Sequence, residues 1–231
     1  MIRSLLSFLK NTLPPGNPPR TILSGLYRGL RMRIDLHSAS LIWLGLYEKE
    51  THQALRSLIH GCRSFIDLGA GHGELVCYLL RYQPGAPVIA VEPDPTALGY
   101  LMGAVRLNHT DIPGTLSVLS FYCGTGGPKP NKSLSDIARD LPPSTRPTLV
   151  KIDVDGPEAD ILAESSAWIE INRPRFFIET HSPDAESRII ELLTSFRYEV
   201  TIIHPAWWRR FLPEYRPITH NRWLCAQPLS E

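Results

Sequence analysis

The sequence has almost no net charge. It carries 24 basic against 23 acidic side chains, a formal +1 over 231 residues. A dedicated nucleic-acid binder shows a basic excess, so this balance argues against one. No run approaches the ~18 apolar residues of a membrane span. Cysteine is scarce: Cys62, Cys77, Cys123 and Cys225 form no CxxC pair, and none has histidine at metal-ligand spacing. That pattern argues against a disulfide framework or a zinc site and for reduced thiols in a cytoplasmic protein. Neither GxxxxGKS nor GxxxxGKT occurs, which excludes a P-loop. Internal repeats and heptad seams are absent. The apolar stretch of MIRSLLSFLK is shorter than a usual signal h-region and has no small-residue cleavage site. It reads as a short helix over 1–10 that docks on the domain, with weak membrane-surface contact as the less favoured alternative.

What is present is an ordered alternation of apolar segments. The length suits one α/β domain with a substantial core. The 21 prolines fall mostly between periodic segments. A proline-rich linker spans 11–20. Leu30, Met32, Ile34 and Leu36 then alternate with polar residues, which predicts a β-hairpin or ribbon within 21–36. Helical spacing over 48–59 stops at Gly61. Apolar strands are expected at 64–68, 88–92, 116–120, 148–153, 176–179, 199–203 and 223–226, the first six each followed or separated by helix or loop. The fold class that follows is α/β. It is a doubly wound, Rossmann-like sheet of seven strands with an antiparallel last strand, preceded by a small helix and hairpin extension over 1–45.

The chemistry gathers around SFIDLGAGHGE at 64–74. A strand ends in Asp67, glycines stand at 69, 71 and 73, and a helix opens directly after them. Glycine permits backbone angles closed to other residues and lets a ligand approach the main chain. The helix start offers unpaired N–H groups to an anionic part of that ligand. Glu92, at the end of the next strand, can accept hydrogen bonds from ribose hydroxyls. Asp67 beside the turn is a poor neighbour for a pyrophosphate and a good one for an ammonium or sulfonium. S-adenosyl-L-methionine fits that set, with NAD left open on these residues alone. The cofactor-binding candidates are Asp67, Gly69, Ala70, Gly71, Glu92, Pro93 and Cys123. Cys123 belongs to the 121–124 segment that would run beside the adenine.

Three segments carry a family resemblance. FIDLGAGHGE at 65–74, VEPDP at 91–95 and LVKIDVDGPEADIL at 149–162 together resemble FkbM-type S-adenosylmethionine-dependent methyltransferases. FIETH at 177–181 and YEKE at 47–50 are similar to further segments of that family. The sequence departs from the pattern at Asp155, where Glu is more usual, and at His72, where Asn is common. The resemblance implies a class I methyltransferase domain over 46–231. It also implies O-methylation of a hydroxyl on a small metabolite such as a sugar, polyketide, lipid or glycoside. An N- or protein methyltransferase, or a nucleoside-binding module without turnover, is the alternative.

Asp153, Glu179 and His181 end the fourth and fifth strands at the ligand rim and are the catalytic candidates. Residues two apart on a strand share a face, so Glu179 and His181 can look into one pocket. A histidine is a natural base near neutral pH. These three could alternatively bind a divalent metal. The spacing shows rim placement without ligand geometry, so no metal is assigned. Glu158 reads as a helix-start acid at least as readily as a chemical one. HPAWWRRFLPEY at 204–215 is an aromatic and basic insertion, suited to a substrate lid or to covering the sheet edge.

Overall fold

The computed structural model describes residues 16–109, 114–210 and 220–229. The helix expected over 1–10, residues 11–15 of the proline-rich linker and the end of the tryptophan insertion lie outside these. The ribbon is present: β1 (Pro19–Thr21) pairs antiparallel with β2 (Arg31–Arg33). A helix not anticipated follows it, α1 (Leu36–Leu44). Asp35 caps it by accepting a hydrogen bond from the His37 amide at 3.1 Å, and Gly45 closes it in the left-handed region. The helix is kinked at Ala39 and its apolar residues form no single stripe, so periodicity gives it no signal. α2 (His52–Ile59) buries Leu55, Leu58 and Ile59 on one side, the i, i+3, i+4 pattern of an amphipathic helix.

Strands and helices then alternate. The order is β3 (Ser64–Leu68), α3 (Glu74–Tyr82), β4 (Val88–Val91), α4 (Pro95–Asn108) and β5 (Leu116–Leu119). A two-residue ladder, β6 (Tyr122–Cys123) with β7 (Asn131–Lys132), ties the base of the loop over 121–130. After α5 (Leu134–Ile137) come β8 (Thr148–Ile152), α6 (Glu158–Glu164) and α7 (Ser166–Asn172). The single helix expected over 158–168 is thus two helices that meet at Ser165, whose hydroxyl accepts from the Ser135 amide at 3.2 Å. β9 (Arg175–Thr180), α8 (Pro183–Ser195), β10 (Tyr198–Ile203) and β11 (Arg222–Pro228) complete the series.

The seven-stranded sheet has the order β10-β11-β9-β8-β3-β4-β5. β11 runs antiparallel between β9 and β10, so the last strand is the inserted antiparallel one. The other neighbouring pairs are parallel. Side chains alternate between two cores, as the period of a strand requires. Phe65, Leu149, Phe177 and Trp223 enter the core shared with α2, α3 and α4. Ile66, Val150, Ile178 and Leu224 enter the one shared with α5 to α8.

Ile22, Leu30, Met32 and Ile34 of the ribbon join the first of these cores. His52 pins the same segment by hydrogen bonds. Its Nδ1 accepts from the Leu26 amide at 3.1 Å, and its Nε2 lies 3.1 Å from the Tyr47 carbonyl. Burial lowers its pKa, and the neutral ring with the proton on Nε2 satisfies both bonds.

The chain winds outward from β3 to β5 and then returns to set β8 on the other side of β3. At such a switch point the loops diverge and leave a crevice beyond the strand ends.

Candidate active site

The turn after β3 is built from backbone. Gly69, Gly71 and Gly73 have φ of +75°, +52° and +88°. At Gly69 an added Cβ would lie 1.8 Å from the Asp153 carbonyl oxygen, so the ends of β3 and β8 touch main chain to main chain. At Gly71 the same atom would meet nothing within 4 Å. Glu92 braces this turn from the end of β4. One carboxylate oxygen accepts from the Gly71 amide and the other from the Asp94 amide, each at 2.9 Å. Asp94 in turn caps α4 by accepting from Ala97 N at 2.7 Å, with Pro95 in the first turn. His72 lays its ring against Tyr100, 4.8 Å between centroids.

A cleft of about 670 Å³ opens at this point. Of the predicted cofactor residues, Gly69, Glu92, Pro93 and Cys123 line it; Asp67, Ala70 and Gly71 do not. Asp67 is only 1% exposed, and the cation beside it is Lys151, 3.1 Å away and directly across the β3–β8 register. Burial pushes the Asp67 carboxyl up to about 6, with Lys151 opposing the shift. Cys123 is buried, and its thiol is pushed up to about 12, so it contributes apolar surface rather than a nucleophile. The loop over 124–128 forms one wall and was not anticipated as a site. Glu164 clasps it, accepting from the Thr125 amide at 3.0 Å and the Thr125 hydroxyl at 2.6 Å.

The charge of the cleft is one-sided. Glu92, Asp153, Asp155, Asp160 and Glu164 line it, and among the described residues no Lys, Arg or His does. Such a lining suits a ligand that carries positive charge and opposes a pyrophosphate. Glu92 also keeps acceptor capacity for ribose hydroxyls, since each of its oxygens has a second lone pair. These are the requirements of S-adenosylmethionine.

Beside the cleft, one face of β8 and β9 carries a cluster of acids and one imidazole. Ligand atoms of Asp153, Glu179 and His181 all lie within 4.8 Å of one another, so the structure brings the three catalytic candidates together. Asp153 also lines the cleft and connects the two regions. Burial pushes Glu179 up to about 10, helped by the charge of Asp153, and Asn221 of the β11 approach donates to its carboxyl group. Asp153 stays below the usual range: burial would raise it, but Lys151 at 3.2 Å, a hydrogen bond with Glu179 and the nearby His181 together outweigh burial. Lys151 remains fully charged, because its attraction to Asp67 and Asp153 exceeds the cost of burial.

Glu158 belongs to this cluster, beyond its place at the start of α6. It is fully buried and meets His181 Nδ1 at 2.6 Å, and this bond raises the imidazole pKa. No periodicity connects residues 158 and 181; the block KIDVDGPE and the strand end FIETH become neighbours only in the fold. Glu50 of the YEKE segment is the other hidden partner. It pairs with Arg209 at 2.7 Å and accepts from the Ala206 amide at 3.0 Å, which anchors the first turn of the tryptophan insertion. Arg209 also stacks on buried Trp223, 4.9 Å from its centroid.

A Rossmann-like sheet in this order, with an antiparallel strand inserted next to the edge and a glycine turn at the switch point, is the class I methyltransferase fold. The fold is shared with solved methyltransferases. The FkbM methyltransferase of Methylobacillus flagellatus superposes with a TM-score of 0.55 at 20% identity, over 71% of this chain and 43% of that one. This chain therefore spans less than half of that protein. Precorrin-6y C5,15-methyltransferase of Geobacter metallireducens gives 0.50 at 14% identity, over 79% and 89%. The N-terminal domain of human METTL16 gives 0.51 at 12% identity, over 81% and 71%. A scan against protein-family models and a search of the curated proteins found no match.

Proposed function

We propose that this protein is an S-adenosylmethionine-dependent methyltransferase that methylates a hydroxyl group of a small metabolite. The observation that carries the reading is the cleft at the switch point, lined by Glu92, Asp153, Asp155, Asp160 and Glu164 and braced by Glu92. When bound there, S-adenosylmethionine supplies a methyl group on a sulfonium, an electrophile that needs little covalent help from the protein. The chain's part is to position and to manage a proton. Gly69 keeps the main chain low at the cleft, and Glu92, held by the Gly71 amide, takes the ribose hydroxyls. Asp153 stands where the cleft meets the β8–β9 cluster. An acceptor hydroxyl placed there would have Asp153 and the β8–β9 cluster beside it to receive its proton. Asp153, Glu179 and His181 are the residues assigned to this step. In this reading residues 46–231 form the methyltransferase domain, residues 1–45 an extension, and the protein works in the cytoplasm on a hydroxylated small molecule. Among the described residues no helix is long and apolar enough to cross a membrane.

Calorimetric titration with S-adenosylmethionine tests the cofactor assignment. The wild type is expected to bind one equivalent. Glu92→Ala is expected to bind about 10- to 100-fold more weakly, the worth of one or two hydrogen bonds to a charged group. No binding by the folded protein would overturn the reading.

A further inference from the structure

The β8–β9 cluster leaves a buried side-chain atom of ligating type without a hydrogen-bond partner. Four acids are grouped there: Asp67, Asp153, Glu158 and Glu179. Among the described residues the fixed cation of this group is Lys151, and its ammonium is already committed. It lies 3.1 Å from Asp67, 3.2 Å from Asp153 and 2.9 Å from the Gly69 carbonyl oxygen. An ammonium has three N–H donors, so Lys151 has none left for Glu179. The His181 ring is held by Glu158 through Nδ1. Its other nitrogen, Nε2, is buried with no hydrogen-bond partner, and lies 3.7 Å from carboxylate oxygens of both Glu179 and Asp155. At that distance neither carboxylate forms a hydrogen bond with Nε2, so the nitrogen is open to a ligand placed between it and Glu179.

We propose that Asp153, Glu179 and His181 bind one divalent cation, each through a single atom: a carboxylate oxygen, a carboxylate oxygen and the imidazole Nε2. The ligand atoms lie within 4.8 Å of one another, close enough that small side-chain rotations bring all three onto one ion. Two carboxylates with one imidazole suit a first-row ion such as Mn²⁺ better than Ca²⁺, which takes six to eight oxygens. Glu158 supplies the support such a site needs. By accepting the Nδ1 proton it fixes the tautomer that leaves the Nε2 lone pair free, and it sets the ring's direction. The ligands stand at the ends of paired strands, so the geometry exists before the ion arrives. Asp153 lines the cofactor cleft as well. The ion therefore sits where an acceptor hydroxyl would approach the methyl group, and it lowers that hydroxyl's pKa. This consequence rests on the methyltransferase reading; the metal site itself does not.

The test uses the full chain, stripped with chelator and titrated with Mn²⁺ in the absence of S-adenosylmethionine. Loss of the free-ion spin-resonance signal is expected to report one saturable site per chain. Pulsed spin resonance of the bound ion is expected to show coupling to one imidazole nitrogen, absent in His181→Asn. Glu179→Gln is expected to abolish the site, and Glu158→Gln to weaken it about 10- to 100-fold. The thermal midpoint of each variant is measured alongside, so that loss of the fold is recognised. Absence of saturable Mn²⁺ binding, bound Mn²⁺ without nitrogen coupling in the wild type, or undiminished binding by folded Glu179→Gln would each overturn the proposal. Because the cofactor is left out, such a failure stands apart from failure to bind S-adenosylmethionine.

Discussion

At the β3–β4 end of the rim the groups that matter are main-chain ones. Glycines fold the turn, amides of Gly71 and Asp94 meet Glu92, and the side chain of Asp67 is turned into the protein against Lys151. At the β8–β9 end, side-chain charge makes the site: Asp153, Glu158 and Glu179 with a lysine and a histidine, the two glutamates buried. The first end gains precision from backbone that has nowhere else to go. The second gains reactivity from charges that cost energy to bury and that shift one another's protonation. A shape-determined half suits a cofactor that is always the same. A charge-determined half suits an acceptor whose proton has to move.

If that division holds, damage to the two ends will look different. The largest effect is expected from Gly69→Ala. Its new Cβ would collide with the Asp153 carbonyl oxygen across the strand ends, and the residue would keep a left-handed φ. Stability should fall by about 4 kcal/mol or more, and cofactor binding with it. Chemical denaturation with parallel cofactor titration checks both. Glu158→Gln ranks next and belongs to the other end. It should lower kcat about 10- to 100-fold while leaving S-adenosylmethionine affinity near that of the wild type. Equal losses in kcat and in cofactor affinity would mean that the two ends are not separate.

The smallest effect lies outside both ends and gives a baseline for plain structural damage. His52 is neutral in the folded protein because burial lowers its pKa, whereas the unfolded chain protonates it near 6.5. Below that value the unfolded state binds the extra proton. Its contribution to stability is therefore complete above pH 6.5 and is lost as the pH falls through the lower, folded pKa. His52→Asn should cost about 1–2 kcal/mol at pH 8 through the hydrogen bonds to Leu26 and Tyr47. It should also flatten the stability loss between pH 6.5 and 5. Urea midpoints across that range measure it.

The two ends also differed in how far the sequence disclosed them. Strand–turn–helix grammar is local, so the glycine turn, Glu92 and the β3-to-β8 alternation could be read without the fold. The strand-end acids could be placed at one rim for the same reason. Their partners could not. Asp67 meets Lys151 because β3 and β8 pair in that register, a choice made 84 residues apart. Glu158 reaches His181 only when α6 packs beside the end of β9. The reading of Asp67 as a neighbour of the ligand's cation took exposure from position, whereas the register gives it Lys151 instead. α1 escaped notice because a kinked helix with scattered apolar residues has no single period to find.

The inserted strand has a consequence for biosynthesis. β11 separates β9 from β10 and pairs with both, and its approach brings Asn221 to Glu179, 42 residues earlier in the chain. During translation the glycine turn, Glu92 and β8 emerge well before that strand, so the cofactor half can assemble on the nascent chain. Until residues 221–228 follow, β9 keeps an open edge, β10 has no partner in the sheet, and Glu179 lacks its amide donor. The half of the rim proposed to handle the proton is thus completed late, after the half that would hold the methyl donor.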